Sequence, residues 1–233
     1  MKALNENIFH QYNKWKTGYV RKENSLQMIL NNFLPNDEDR RADTYHISED
    51  GKHVDCDTDV YIRDSDLIDG KFPFPFGKVN GHFSCAQCEN LTSLVGAPQK
   101  VNGQFNCVQC DNLTSLEGAP KEVGGVFNCR YCENLKSLEG APKEVGSHFS
   151  CERCPNLTSL KGAPKIVNGG FNCSNCKNLK SLEGAPEKIV YGFDCHNCIS
   201  LKSLKGLSKK IGGVLFVDNN LKNKVPSGVK IKF

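Results

Sequence analysis

Residues 79–100 read Val79-Asn80-Gly81-His82-Phe83-Ser84-Cys85-Ala86-Gln87-Cys88-Glu89-Asn90-Leu91-Thr92-Ser93-Leu94-Val95-Gly96-Ala97-Pro98-Gln99-Lys100. The same pattern returns without insertion from Val101, Val123, Val145, Val167 and Ile189, so six full units fill residues 79–210. A fixed period of this length marks a solenoid, in which one short unit cannot bury its own apolar face and needs a neighbour stacked on it. Phe83, Cys85, Cys88, Leu91 and Leu94 recur in every unit and supply the inward positions. Alternation around Phe83 and Cys85 predicts a short strand with one buried face. Gly81 predicts a tight turn or a close backbone approach, and Gly96-Ala97-Pro98 excludes a helix on the return path. Each coil is therefore expected to hold one parallel strand, a corner and an extended back segment.

Six C-x-x-C motifs account for twelve of the thirteen cysteines. Paired motifs of this kind are the grammar of structural zinc sites, and zinc is one alternative. Both cysteines of each motif fall on inward positions, however, where a thiol behaves as a small hydrophobe, so buried, reduced, metal-free thiols are expected. The odd count and a polar Met1 to Lys16 without a signal-peptide core argue against a disulfide framework and for a cytoplasmic chain. No apolar run approaches the ~18 residues that span a bilayer, so no membrane partner is expected. Asp55, Asp57 and Asp59 resemble the start of a calcium loop, but Val60 stands where that loop needs Gly. Alternation of Val54, Cys56, Thr58, Val60 and Ile62 with these aspartates instead predicts one strand with an acidic outer face, a candidate contact surface.

No catalytic constellation is visible. His82 and His148 share a column of the repeat with Gln104, Val126, Gly170 and Gly192, and His196 shares one with Arg130 and Glu152. They read as surface variants, and an enzyme is not expected. The outward positions that change from unit to unit carry partner-reading information in a solenoid. Arg130, Tyr131, Glu152 and Arg153 stand out among them, since Tyr and Arg are preferred anchors at interfaces. With them the candidate partner-binding residues are His82, Gln104, His148, His196, Asp55, Asp57 and Asp59. The column Ser84, Asn106, Asn128, Ser150, Asn172, Asp194 stays small and polar, a uniform floor.

The spacing of Val79, Phe83, Cys85, Cys88, Leu91 and Leu94 resembles the consensus of leucine-rich repeat proteins, in their cysteine-containing form, over roughly residues 60–233. The resemblance implies a β solenoid of leucine-rich-repeat type with short parallel strands and helix-free back segments. It puts Cys88 and its equivalents where that family has a ladder Asn. Asn220, aligned with Cys198, would then be an Asn restored to the ladder. The short Phe-x-Cys and Ser-Leu-x-Gly-Ala-Pro units also resemble repeat proteins encoded by bacteriophages. That likeness implies a phage protein acting in the host cytoplasm, with a host or defence protein as target.

Solenoids need covered ends. Residues 1–59 are expected to form a small α+β cap: helices over Asn5 to Lys16 and Glu23 to Leu34, a solvated loop over Asn36 to Asp43, and a hairpin about Asp50-Gly51. Residues 60–233 form the solenoid, with a degenerate first coil at Val60, Ile62, Ser65 and Leu67, and a last strand whose outward Lys230 and Lys232 discourage edge pairing. Residues 36–69 carry a net −8 and residues 202–232 a net +7, which opens head-to-tail self-association. The function expected is a non-enzymatic module that blocks or recruits a protein partner. Nucleic-acid binding through the lysine-rich end is an alternative, disfavoured because the aromatic residues are inward and the repeats carry many Glu. No cofactor is expected.

Overall fold

A computed structural model describes residues 22–34 and 42–232. Over residues 45–232 the chain forms two nine-stranded sheets, which from residue 54 onward wind as a β-solenoid. Strands β1 (Tyr45–Ile47) and β2 (Val54–Cys56) pair antiparallel about the turn at Gly51, as the hairpin expectation required. From β2 onward all the paired strands of the two sheets run parallel. β2 leads to β4 (Phe76–Val79) and then to Lys100–Val101, Glu122–Val123 and the equivalents down to Lys210–Ile211. The second sheet starts at β3 (Val60–Tyr61), continues with β5 (Phe83–Ser84) and Phe105–Asn106, and ends at Leu215–Phe216 and Ile231–Lys232.

Each coil thus carries two short strands, which corrects the expectation of one. The second was hidden because Lys100–Val101 and its equivalents show only one exposed and one buried residue, too little for a period. The single acidic strand over residues 54–62 is corrected as well. Thr58 is exposed, and Val54–Cys56 and Val60–Tyr61 belong to different sheets on either side of a corner. That corner recurs in every later coil, as Asn-Gly at Asn80, Asn102 and Asn168 and with other residues in the remaining coils. It is tight because coils touch there: a Cβ on Gly103 would sit 2.7 Å from the carbonyl oxygen of Gly81.

The return path is a chain of turns. The Ala97 amide donates to the Leu94 carbonyl at 2.9 Å, with Gly96 between them at φ +98°, the geometry of a type II turn that demands glycine at its third position. This accounts for the Leu-x-Gly of every unit, which Ala follows in the first five units and Leu207 in the sixth. Inside, Phe83, Phe105, Phe127, Phe149, Phe171 and Phe193 form an unbroken column with ring centroids 5.1 to 5.7 Å apart. Every Val, Cys and Leu column beside it is buried. Burying each such side chain contributes roughly 1.5–3 kcal/mol relative to exposure.

Helix α1 (Lys22–Phe33) is the only α-helix among the described residues, and its Leu26, Ile29, Leu30 and Phe33 are buried, as their three-and-four spacing predicts. Phe33 packs edge-on against Phe74 at 5.1 Å and against Tyr45 at 6.1 Å. The first expected helix, Asn5 to Lys16, and most of the expected loop at 36–43 lie outside the described residues. At the other end Leu215 takes the place of Phe193 in the stack and Val217 is buried like Cys195. The restored ladder Asn is a correction: Asn220 is exposed in a 3-10 turn over Asn219–Lys224, and Leu221 fills the core instead.

Candidate functional site

The corner after each strand of the second sheet explains both the cysteine ladder and the exposed variable residues. Two positions after the strand, the backbone N–H does not join the ladder. In the second coil the Val108 amide donates to Oδ1 of Asn106, and Arg130, Ser174 and His196 donate likewise to Asn128, Asn172 and Asp194. The polar floor column is therefore a row of local turn-makers, consumed by its own backbone. This diversion leaves the carbonyl of the first cysteine in the preceding coil without a backbone donor. The second cysteine of the next coil supplies one: the Cys110 thiol donates to the Cys85 carbonyl at 3.1 Å. Cys132, Cys154, Cys176 and Cys198 repeat the bond at 3.2 Å to Cys107, Cys129, Cys151 and Cys173.

All thirteen cysteines are free and buried. Burial pushes the thiols of Cys129, Cys151, Cys154 and Cys173 well above the ordinary thiol range, and that of Cys88 up to about 12. These raised thiols stay protonated, whereas the nucleophile and metal ligand is the thiolate; Cys132 and Cys176 shift downward instead, through their hydrogen bonds with the Cys107 and Cys151 thiols. Among the described residues no group of three or more His, Cys, Asp or Glu side chains is placed to hold a metal ion.

One residue later the backbone turns left-handed. Gln87, Gln109, Tyr131, Arg153, Asn175 and Asn197 all have φ between 55° and 61°. For a side chain other than Gly or Asn this costs roughly 1–2 kcal/mol. The turn throws each of these side chains outward at the corner. In the third and fourth coils the result is one cluster, made of the four residues singled out from the sequence. Tyr131 lies between two guanidinium groups, with Arg130 Cζ 5.7 Å and Arg153 Cζ 5.3 Å from its ring centre. Glu152 bridges both arginines, at 3.5 Å to Arg130 and 3.6 Å to Arg153, and is tucked beneath them at 17% side-chain exposure. Two shallow hollows flank the cluster. One of about 420 Å³ runs along the corner past Tyr131, Arg153, Asn175 and Lys177. The other, about 450 Å³, opens on the outer face of the second sheet from Arg130 to Phe216.

The other candidates prove to be braces rather than parts of this cluster. Nδ1 of His82 accepts the Gln104 amide, and Nδ1 of His148 accepts the Gly170 amide, both at 2.8 Å. These histidines hold the next coil's turn in place, and Gln104 joins by its backbone with its side chain exposed. His196 is exposed and sits on Asp194 at 2.6 Å. On the first coil, Asp59 accepts the His82 amide at 2.7 Å and Asp55 accepts the Lys78 amide at 2.6 Å. Asp57 holds the Asn80 side chain at 2.9 Å and pairs with His46. Each aspartate satisfies a donor of the following coil, and Asp218 does the reverse at the far end by accepting the Asn197 amide at 2.7 Å. The acidic and polar ends close the ladder with side chains where backbone has run out.

Comparison with protein-family models, with curated proteins and with solved structures gave no match to this chain. No helix among the described residues is long and apolar enough to cross a membrane.

Proposed function

We propose that this protein is a non-enzymatic module that binds a protein partner, blocking or recruiting it, through the corner formed by Arg130, Tyr131, Glu152 and Arg153. The supporting observation is the use of left-handed backbone. In the fifth and sixth coils the strained position holds Asn175 and Asn197, residues that tolerate it. In the first four coils it holds Gln87, Gln109, Tyr131 and Arg153, which carry that cost, and in the third and fourth the side chains meet in a single cation–π cluster at the surface. Left-handed backbone that assembles an ordered aromatic and charged cluster at the surface points to use. A large ring held between guanidinium groups is also pre-ordered, so binding it costs little side-chain entropy. The likeness to phage repeat proteins makes a host or defence protein the natural partner class.

The test is affinity capture from lysate of the cells in which the protein acts, with wild type beside a Tyr131→Ala/Arg153→Ala variant. Neither residue takes part in the Phe, Leu or Cys columns, so the variant folds. A partner captured by wild type and lost by the variant supports the reading. Equal capture by both removes the corner from the interface.

A further inference from the structure

The hollow on the outer face of the second sheet has a composition of its own. Its space comes from Gly170 and Gly192, which stand where other coils carry His148 or Val126. At one end Phe216 replaces the small polar residue of the floor column, and the exposed Tyr191 ring stacks on His148 at 6.2 Å along one side. Between these walls the floor is made of hydrogen-bond donors. The Arg130 and Ser174 backbone amides can only donate, so the oxygens of Asn128 and Asn172 must face them. Both side chains are thereby obliged to turn their NH2 groups away from the backbone. Ser150, alone in that column, makes no such bond; its hydroxyl and the Nε–H of Arg130 are buried beneath the floor without a partner in the folded chain, while a terminal nitrogen of Arg130 pairs with Glu152. The one carboxylate, Asp194, lies near the far end and is already engaged by the His196 amide and ring.

We infer that this hollow is a docking groove for an extended acidic segment of the protein partner, whose carboxylates are received by Asn128, Asn172 and Arg130. Donors set at multiples of the coil spacing of about 4.8 Å, with a guanidinium at one end, complement a row of acceptors. Carboxylates are favoured among acceptors because the bonds are charge-assisted. The groove adjoins the corner cluster through Arg130, so the inference rests on the protein-binding reading given above.

The chain provides its own isosteric control. Asp194 makes with His196 the same backbone bond that Asn172 makes with Ser174, so Asn172→Asp keeps the turn and replaces a donor by an acceptor. The probe is a fluorescein-labelled peptide of six glutamates around one tyrosine, titrated by fluorescence anisotropy, with a glutamine peptide of equal length beside it. Expected are saturable binding of the glutamate peptide, at least tenfold weaker binding by Asn172→Asp, and tighter binding by Asp194→Asn. The glutamine peptide should bind at least tenfold more weakly, and both variants should melt as wild type. The inference is overturned by equal binding of the two peptides, by preference for a lysine peptide, or by absence of saturation. It is equally overturned if Asn172→Asp is silent while Lys222→Glu/Lys224→Glu abolishes binding. Its failure is separable from that of the module reading. A partner lost by Tyr131→Ala/Arg153→Ala but retained by Asn172→Asp keeps the module and removes the groove. Failure to capture any partner removes the module, while the peptide titration still judges the groove.

Discussion

Replacing Cys132 separates a hydrogen-bonded thiol ladder from a column of small hydrophobes. Cys132 is fully buried, and its thiol is the only donor to the Cys107 carbonyl, at 3.2 Å. Cys132→Val keeps an apolar side chain but leaves that carbonyl unsatisfied, which costs about 1–2 kcal/mol, with overpacking adding about 1. Cys132→Ala loses the same bond and leaves a void, for a similar total. Cys132→Ser keeps a donor in place, on a shorter bond, and should cost about 1 kcal/mol or less. The order Ser, then Ala and Val, is the reverse of what apolar packing alone would give. Urea unfolding followed by circular dichroism reads it as shifts of the transition midpoint at constant slope. If Val is as stable as wild type, or Ser is the worst of the three, the ladder is not held by hydrogen bonds.

Three further outcomes follow from the same geometry. Because burial holds Cys88 protonated up to about 12 while an unfolded thiol ionises near 9, its contribution to stability is complete below pH 9. It is then lost as pH rises toward 12, at up to roughly 1.4 kcal/mol per pH unit for each such thiol; urea midpoints measured from pH 7 to 10 should fall only above pH 9. Gly140→Ala should destabilise by at least about 2 kcal/mol, since the position has φ +96° and a Cβ there would lie 2.2 Å from the Leu116 carbonyl oxygen. His148→Ala, which removes the acceptor of the Gly170 amide, should cost about 0.5–1 kcal/mol by thermal melting, with His148→Asn restoring part of it.

Much of the fold was legible because a 22-residue period fixes columns, and columns fix neighbours. The phenylalanine spine, the buried cysteines and the adjacency of Arg130 with Glu152 and of Tyr131 with Arg153 all follow from that arithmetic. What escaped was set by backbone torsion and by hydrogen bonds that periodicity does not encode. Alternation across Asp55, Asp57 and Asp59 continued by coincidence through a corner, where Thr58 turns outward. Asn220 matched Cys198 in alignment, but the 3-10 turn at Asn219–Lys224 shifts the inward position to Leu221. The left-handed corner had one trace in the sequence, Asn175 and Asn197 in a single column. Small polar residues two positions before Val108, Arg130 and Ser174 were the corresponding trace of the local turns that leave room for the thiol ladder.

The most direct test of the corner as working surface is site-specific photocross-linking. A benzophenone amino acid at position 131 places the reactive group at the centre of the cluster, and the same group at 153 places it one coil along. Controls at Lys161, on the return path beside Glu139, and at Glu49, on the exposed hairpin tip, probe the other faces. Irradiation of the captured complex should yield partner adducts from positions 131 and 153 and none from 161 or 49. Adducts from 49 or 161, with none from 131 and 153, would contradict the account and move the interface elsewhere on the solenoid.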